Sequence, residues 1–169
     1  RKFSGGILYD WGVHLLEYSL QLLDGKIQEV SGYAHEGYWA PRLPWKNDSN
    51  EDEAFAVVRF SSGQWLTLTM SQIDAKGKDG WLEITGTKGT YLFDGGTWRI
   101  HRRDGATELI TRGRNPENDY AVYYRNVAEH LTQGAPLVIT GEWSRRPIHI
   151  LDLAVQSARR GRALRAKYG

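Results

Sequence analysis

Asp10 and His14 stand four residues apart in GGILYDWGVHLL, residues 5–16 of a 169-residue chain. Four residues make about one helical turn, so on a helix the carboxylate and the imidazole share a face. A neutral imidazole takes the proton of a hydroxyl it meets, while a neighbouring carboxylate orients that hydroxyl and favours the imidazolium that forms. The same residues admit a plainer account. Asp10, His14, Glu17, Gln21 and Asp24 follow at spacings of 4, 3, 4 and 3, a polar stripe that any amphipathic surface helix produces. Gly5, Gly6 and Gly12 weigh on the functional side. An interior glycine costs a helix about 1 kcal/mol relative to alanine, and it is found where another backbone or a ligand comes close.

Other candidates are fewer. In YWAPRLPWKNDSNED, residues 38–52, Tyr38, Trp39, Trp45 and Lys46 could line a sugar site, since aromatic faces stack on C–H groups and polar tips bond hydroxyls. Ordinary anchoring of the loop uses the same residue types, and the same holds for Tyr120, Tyr123 and Tyr124. His101, His130 and His149 have no ligand-spaced partner and His35 with Glu36 reads as a strand end, so no metal site is expected. The chain has no cysteine, which removes disulfides and thiolate ligation. SARRGRALRAKYG carries Arg159, Arg160, Arg162, Arg165 and Lys167 without an acid, which suits a solvated helix end. With a net charge of +2, no nucleic-acid partner is expected. No apolar run approaches the roughly 18 residues that span a bilayer, and no signal-peptide pattern is present. A cytoplasmic protein without a membrane partner is expected.

The elements that must position these groups follow from periodicity. At 169 residues one domain is expected, able to bury roughly 70% of its unfolded surface. Residues 7–23 read as a helix with Leu8, Trp11, Leu15, Tyr18 and Leu22 on its buried face, widened by Leu16, Leu20 and Leu23, ending at Asp24 and Gly25. A first strand over 27–34 precedes a long loop over 37–53. Alternation then predicts strands over 54–60, 64–72, 81–85, 90–93, 98–102 and 107–111. The turns between them, at Ser62-Gly63, Gly86 to Gly89, Asp94-Gly95-Gly96 and Asp104-Gly105, are short enough to make neighbours antiparallel. Helices over 117–132 and 146–165 close the chain, with Pro147 in the first turn of the second and Ile148, Leu151, Val155 and Ala158 on one face. The order predicts an α+β fold, an antiparallel sheet with helices packed on one face. A second face bearing Trp65 and Trp81 is apolar enough to serve as an oligomer interface.

The ordered set of motifs resembles one family. GGILYDWGVHLLEYSLQLLDG is similar to the opening of the C-terminal domain in the glucose–fructose oxidoreductase / inositol dehydrogenase (Gfo/Idh/MocA) family, matching its glycine pair and Asp-x-Gly-x-His at Gly5, Gly6, Asp10, Gly12 and His14. NDSNEDEAFAVVRFSSGQWLTLTMSQ resembles its acidic loop and strand–turn–strand, and WLEITGTKGTYLF its Gly-Thr-x-Gly hairpin. GAPLVITGEWSRRPIHILDLAVQSARRGRAL resembles its closing helix. The resemblance implies a large, mostly antiparallel sheet and a single substrate-binding and oligomerisation domain over 1–169, normally joined to an N-terminal Rossmann domain. It implies oxidation of a sugar, inositol or related polyol hydroxyl by hydride transfer to NAD or NADP, with His14 as catalytic base and Asp10 beside it on the same hydroxyl. Cofactor and a catalytic lysine would come from the N-terminal domain, since no G-x-G-x-x-G follows a strand here. Glu17 stands where the family usually has Asp. The chain opens on Arg1 rather than Met, so a preceding segment is expected, and the fragment alone is expected to be inactive. The alternative is a non-catalytic binding or assembly module that keeps the fold.

Overall fold

The computed structural model describes residues 5–44, 46 and 48–168. The chain falls into two compact units, one made of residues 1–76 and 144–169, the other of Gly77–Trp143. Each carries a four-stranded antiparallel sheet. The expected α+β class holds, and the strands are shared between two sheets rather than laid in one.

The first unit holds helix α1 (Ile7–Leu20) and strands β1 (Ile27–His35), β2 (Glu53–Phe60) and β3 (Trp65–Ser71). Alternation decides the sheet's faces. Ala54, Ala56, Val58 and Phe60 of β2 and Leu66, Leu68 and Met70 of β3 are buried on the helix side. The residues between them face outward: Trp65 is 68% exposed, and Tyr33 of β1 packs its ring 6.1 Å from Phe55.

Helix α1 buries Leu8, Gly12, Leu16 and Leu20. Leu8, Leu16 and Leu20 lie on the expected face, whereas Trp11, Tyr18 and Leu22 are exposed and the buried row runs through Gly12. A Cβ there would lie 2.9 Å from Leu151 Cδ2 and 3.4 Å from Leu68 Cδ2, so close packing follows the row through the smallest residue.

Helix α3 (Gly141–Arg160) covers the same sheet from the chain's other end. Its carbonyl at Ala154 lies where a Cβ on Gly32 would fall, at 2.0 Å. Ser157, 2% exposed, accepts the Gly32 amide at 2.9 Å and donates to the Arg162 carbonyl at 2.7 Å, so the buried polar groups at this crossing are satisfied. The helix starts earlier than Pro147 implied: the Thr140 hydroxyl accepts the Trp143 amide, and Pro147 sits inside. It also ends earlier than 165. Gly161 has a φ of 63°, and Leu164–Arg165 then forms β8, antiparallel to β1 at Glu29 and Val30. The buried row is Pro147, Ile150, Leu151, Leu153, Ala154 and Ser157, with Ile148 exposed.

The second unit is a meander, β4 (Leu82–Gly86), β5 (Gly89–Phe93), β6 (Thr97–Asp104) and β7 (Thr107–Arg114), followed by α2 (Ala121–Gln133). Trp81 adjoins β4 and packs edge-on to Phe93, ring centroids 6.4 Å apart. It therefore does not share a sheet with Trp65, which corrects the expected common face. Helix α2 starts where the Asp119 carboxylate accepts the Ala121 amide at 3.0 Å, and ends at the left-handed Gly134. Tyr120, Tyr123 and Tyr124 are all exposed. His101 bonds Glu108 at 2.8 Å and His130 the Ala135 carbonyl at 2.7 Å. Among the described residues no helix is long and apolar enough to cross a membrane, and no group of three or more His, Asp or Glu could hold a metal.

Candidate active site

The first turn of α1 is held by a residue far away in sequence. Gly6 precedes the helix with φ 93° and ψ 173°, a conformation that essentially only glycine adopts. The Glu51 carboxylate fills the space beside it, so that a Cβ on Gly6 would lie 2.5 Å from Oε1. Glu51 Oε1 accepts the Leu8 amide at 3.2 Å. The amide of Asp10 donates to the Gly6 carbonyl at 3.1 Å, which closes the turn. A helix start leaves its first amides without partners and carries partial positive charge, so a carboxylate there satisfies one donor and suits the dipole.

Asp10 and His14 project from this helix into solvent, one turn apart on one face. Among the described residues neither side chain has a hydrogen-bonding or ion-pair partner. The imidazole meets the Trp11 ring edge-on at 6.0 Å, and that indole is 51% exposed. The pair and the indole thus form an open surface of one proton acceptor, one carboxylate and one aromatic plate. Tyr9, half-buried on the other side, keeps its hydroxyl protonated: burial raises its pKa, as does the charge of Asp152, Arg159 opposes them, and Glu51 adds to the rise.

The next acidic residue anchors the second candidate group. Asp52, 2% exposed, accepts the Tyr38 amide at 2.7 Å through Oδ2 and the Trp39 amide at 3.2 Å through Oδ1. Its own amide donates to the His35 carbonyl at 2.8 Å, and its carbonyl accepts the Gln72 amide at 2.9 Å. The carboxylate is therefore fixed between β1 and the end of β3. Tyr38 and Trp39 stand perpendicular, centroids 5.0 Å apart, before a single 3-10 turn at Ala40–Arg42. The Arg42 guanidinium lies 4.1 Å over the Tyr38 ring and donates to the Tyr38 carbonyl. Lys46 is exposed, its amide donating to the Leu43 carbonyl at 3.1 Å. Trp45 lies outside the described residues.

The structure thus brings Asp10 together with His14, and Tyr38 together with Trp39. Among the described residues no hydrogen bond or ring contact joins one pair to the other. In the sequence Glu51 and Asp52 stand out only as acids of the loop directly before an alternating strand.

Residues 1–166 match the family model GFO_IDH_MocA_C, "Oxidoreductase family, C-terminal alpha/beta domain". The chain belongs to this family. Solved structures share the fold of this chain at low identity. YvaA from Bacillus subtilis is 18% identical, with 97% of this chain and 51% of that one covered and a TM-score of 0.78. An NAD binding oxidoreductase from Klebsiella pneumoniae is 20% identical over 97% of this chain and 51% of its own, TM-score 0.75. A levoglucosan dehydrogenase in complex with NADH and L-sorbose is 14% identical over 95% and 50%, TM-score 0.73. The chain spans about half the length of the structures it matches. No curated protein matches it.

Against the family's motif, Glu17 in place of Asp accepts the Gln21 amide group at 3.2 Å one turn on, an ordinary contact along the helix. The glycine-led start of α1 does not fit a dinucleotide's pyrophosphate, because the Glu51 carboxylate already occupies it with negative charge.

Proposed function

We propose that this chain is the substrate-binding and oligomerisation domain of an NAD(P)-dependent oxidoreductase that oxidises a hydroxyl of a sugar, inositol or related polyol. The observation that carries the reading is the Asp10–His14 pair, solvent-facing and without partners among the described residues, on a helix whose first turn is fixed from outside. Family membership and the likeness to a levoglucosan dehydrogenase support the substrate class.

The chemistry asked of this chain is proton transfer and orientation. The substrate hydroxyl donates to the neutral His14 imidazole, which takes its proton as the carbon–oxygen double bond forms. The Asp10 carboxylate stabilises the imidazolium that results and fixes the hydroxyl's direction. Trp11, Tyr38 and Trp39 offer faces for the C–H side of the sugar ring, and Lys46 adds a polar tip from the same loop. When bound, a nicotinamide cofactor would supply the hydride acceptor, and an N-terminal Rossmann domain would hold it and provide a lysine. The chain by itself is then incompetent. The outward face of the first sheet, with Tyr33, Phe55, Val57 and Trp65, serves as the homo-oligomer interface. A cytoplasmic location suits a chain without cysteine.

The test compares this chain with the full-length protein that contains it. Full-length protein should reduce NAD or NADP in the presence of a sugar or polyol. The chain alone should neither do so nor change its Trp fluorescence with micromolar NADH. A full-length protein that binds sugars yet reduces neither cofactor would favour the assembly-module reading.

A further inference from the structure

Glu51 and Asp52 are consecutive, yet their carboxylates serve two different segments. Asp52 is locked into the ladder, its amide on His35 and its carbonyl on Gln72, with its side chain turned to the amides of Tyr38 and Trp39. Glu51 extends from that fixed base to the Leu8 amide and the cradle left by Gly6. The body of α1 does not need Glu51: Gly12, Leu16 and Leu20 hold it in the core. What Glu51 sets is the first turn, and Asp10 closes that turn.

We propose that Glu51 and Asp52 are a pair of positioning residues, Glu51 for the turn that carries Asp10 toward His14 and Asp52 for the Tyr38–Trp39 loop. The proposal rests on the hydroxyl-oxidising reading above and deepens it. One short stretch at the mouth of β2 then references both halves of the site to the same sheet. The two anchors act on different steps. Asp10 and His14 meet the reacting oxygen, so loosening Glu51 acts on turnover. Tyr38 and Trp39 meet the rest of the substrate, so loosening Asp52 acts on binding.

The experiment uses the full-length protein with its best polyol or sugar substrate. Glu51→Ala should lower kcat by about 10- to 100-fold with KM kept within about twofold. Glu51→Gln, which keeps an acceptor oxygen for Leu8, should restore most of that loss. Asp52→Asn leaves one of the two amides facing an NH2 group and should raise KM about tenfold with kcat largely kept. Amide hydrogen exchange supplies a readout that needs no substrate: Glu51→Ala should deprotect residues 8–10 alone, and Asp52→Asn residues 38–39 alone. Equal changes in kcat and KM in both variants, or loss of protection throughout the first unit, would overturn the proposal in favour of a purely structural role. So would Glu51→Gln being as slow as Glu51→Ala. His14→Ala in parallel separates the two claims. If it retains full turnover, the catalytic reading fails whatever the anchors do; if it is inactive while Glu51→Ala is unchanged, only the anchoring fails.

Discussion

Glu51 Oε1 lies 3.2 Å from the amide nitrogen of Leu8, across 43 residues of chain. The bond requires Gly6 to leave room, because a Cβ at that position would lie within 2.5–2.8 Å of both carboxylate oxygens. Gly6 of the motif and Glu51 of the acidic loop are therefore one structural device. Gly6→Ala should strain a backbone at φ 93° and expel Glu51, with a cost of about 1–3 kcal/mol in urea unfolding. Unchanged stability would show that the turn relaxes freely.

Gly12 and Gly32 look alike in sequence and should behave differently. At Gly32 a methyl group would meet the carbonyl oxygen of Ala154 at 2.0 Å, and two backbones would have to part. Gly32→Ala should cost about 3 kcal/mol or more. At Gly12 the obstacle is the tip of the Leu151 side chain rather than a backbone, and about 1 kcal/mol of helix propensity gained by alanine offsets part of the crowding. Gly12→Ala should lower the unfolding midpoint clearly less than Gly32→Ala. Thermal melts of the two variants side by side decide the point, and equal losses would contradict the close crossing of α3 over β1.

These glycines also show where sequence reasoning stops. The sheet was legible, because alternation and turn chemistry are local: the first strand was expected over 27–34 and lies at Ile27–His35, and β5, expected over 90–93, is Gly89–Phe93. The buried face of α1 was legible at Leu8, Leu16 and Leu20 but not at Trp11 and Tyr18, which hydrophobicity favours and which stay exposed while the packed row passes through Gly12. The end of α3 is not legible in the sequence, because the arginines continue the helical pattern past Gly161, whereas Leu164 finds a strand partner in Val30. That Asp10 and His14 share an exposed face of α1 was readable from their spacing. The anchors Glu51 and Asp52 were not, for their partners lie 43 and 13 to 14 residues away and no local pattern announces such contacts.

The C-terminal tail should respond to pH. His149 Nε2 accepts the Lys167 amide at 3.1 Å, so the ring must be neutral, and Tyr168 packs on it at 4.9 Å beneath Arg145. Burial holds the imidazole below the usual histidine value, Asp152 opposes that, and Arg145 and Lys167 add to it. The unfolded chain then binds more protons between the depressed folded value and about 6.5, so stability rises with pH across that window and is lost as pH falls through it. Melting curves from about pH 8 to about pH 5 should drop more for the native chain than for His149→Gln, whose amide does not titrate. Parallel curves would show that His149 is not the sensor.

The central claim is that His14 takes the substrate's proton, and it is tested most directly by turnover of His14→Ala in the full-length protein. His14 is exposed and its loss leaves the core of α1 intact, so folding should be preserved. The expected result is a fall in kcat of at least about 100-fold with cofactor affinity unchanged. Turnover equal to that of the native protein would contradict the account, leaving Asp10 and His14 as the wet side of an ordinary helix.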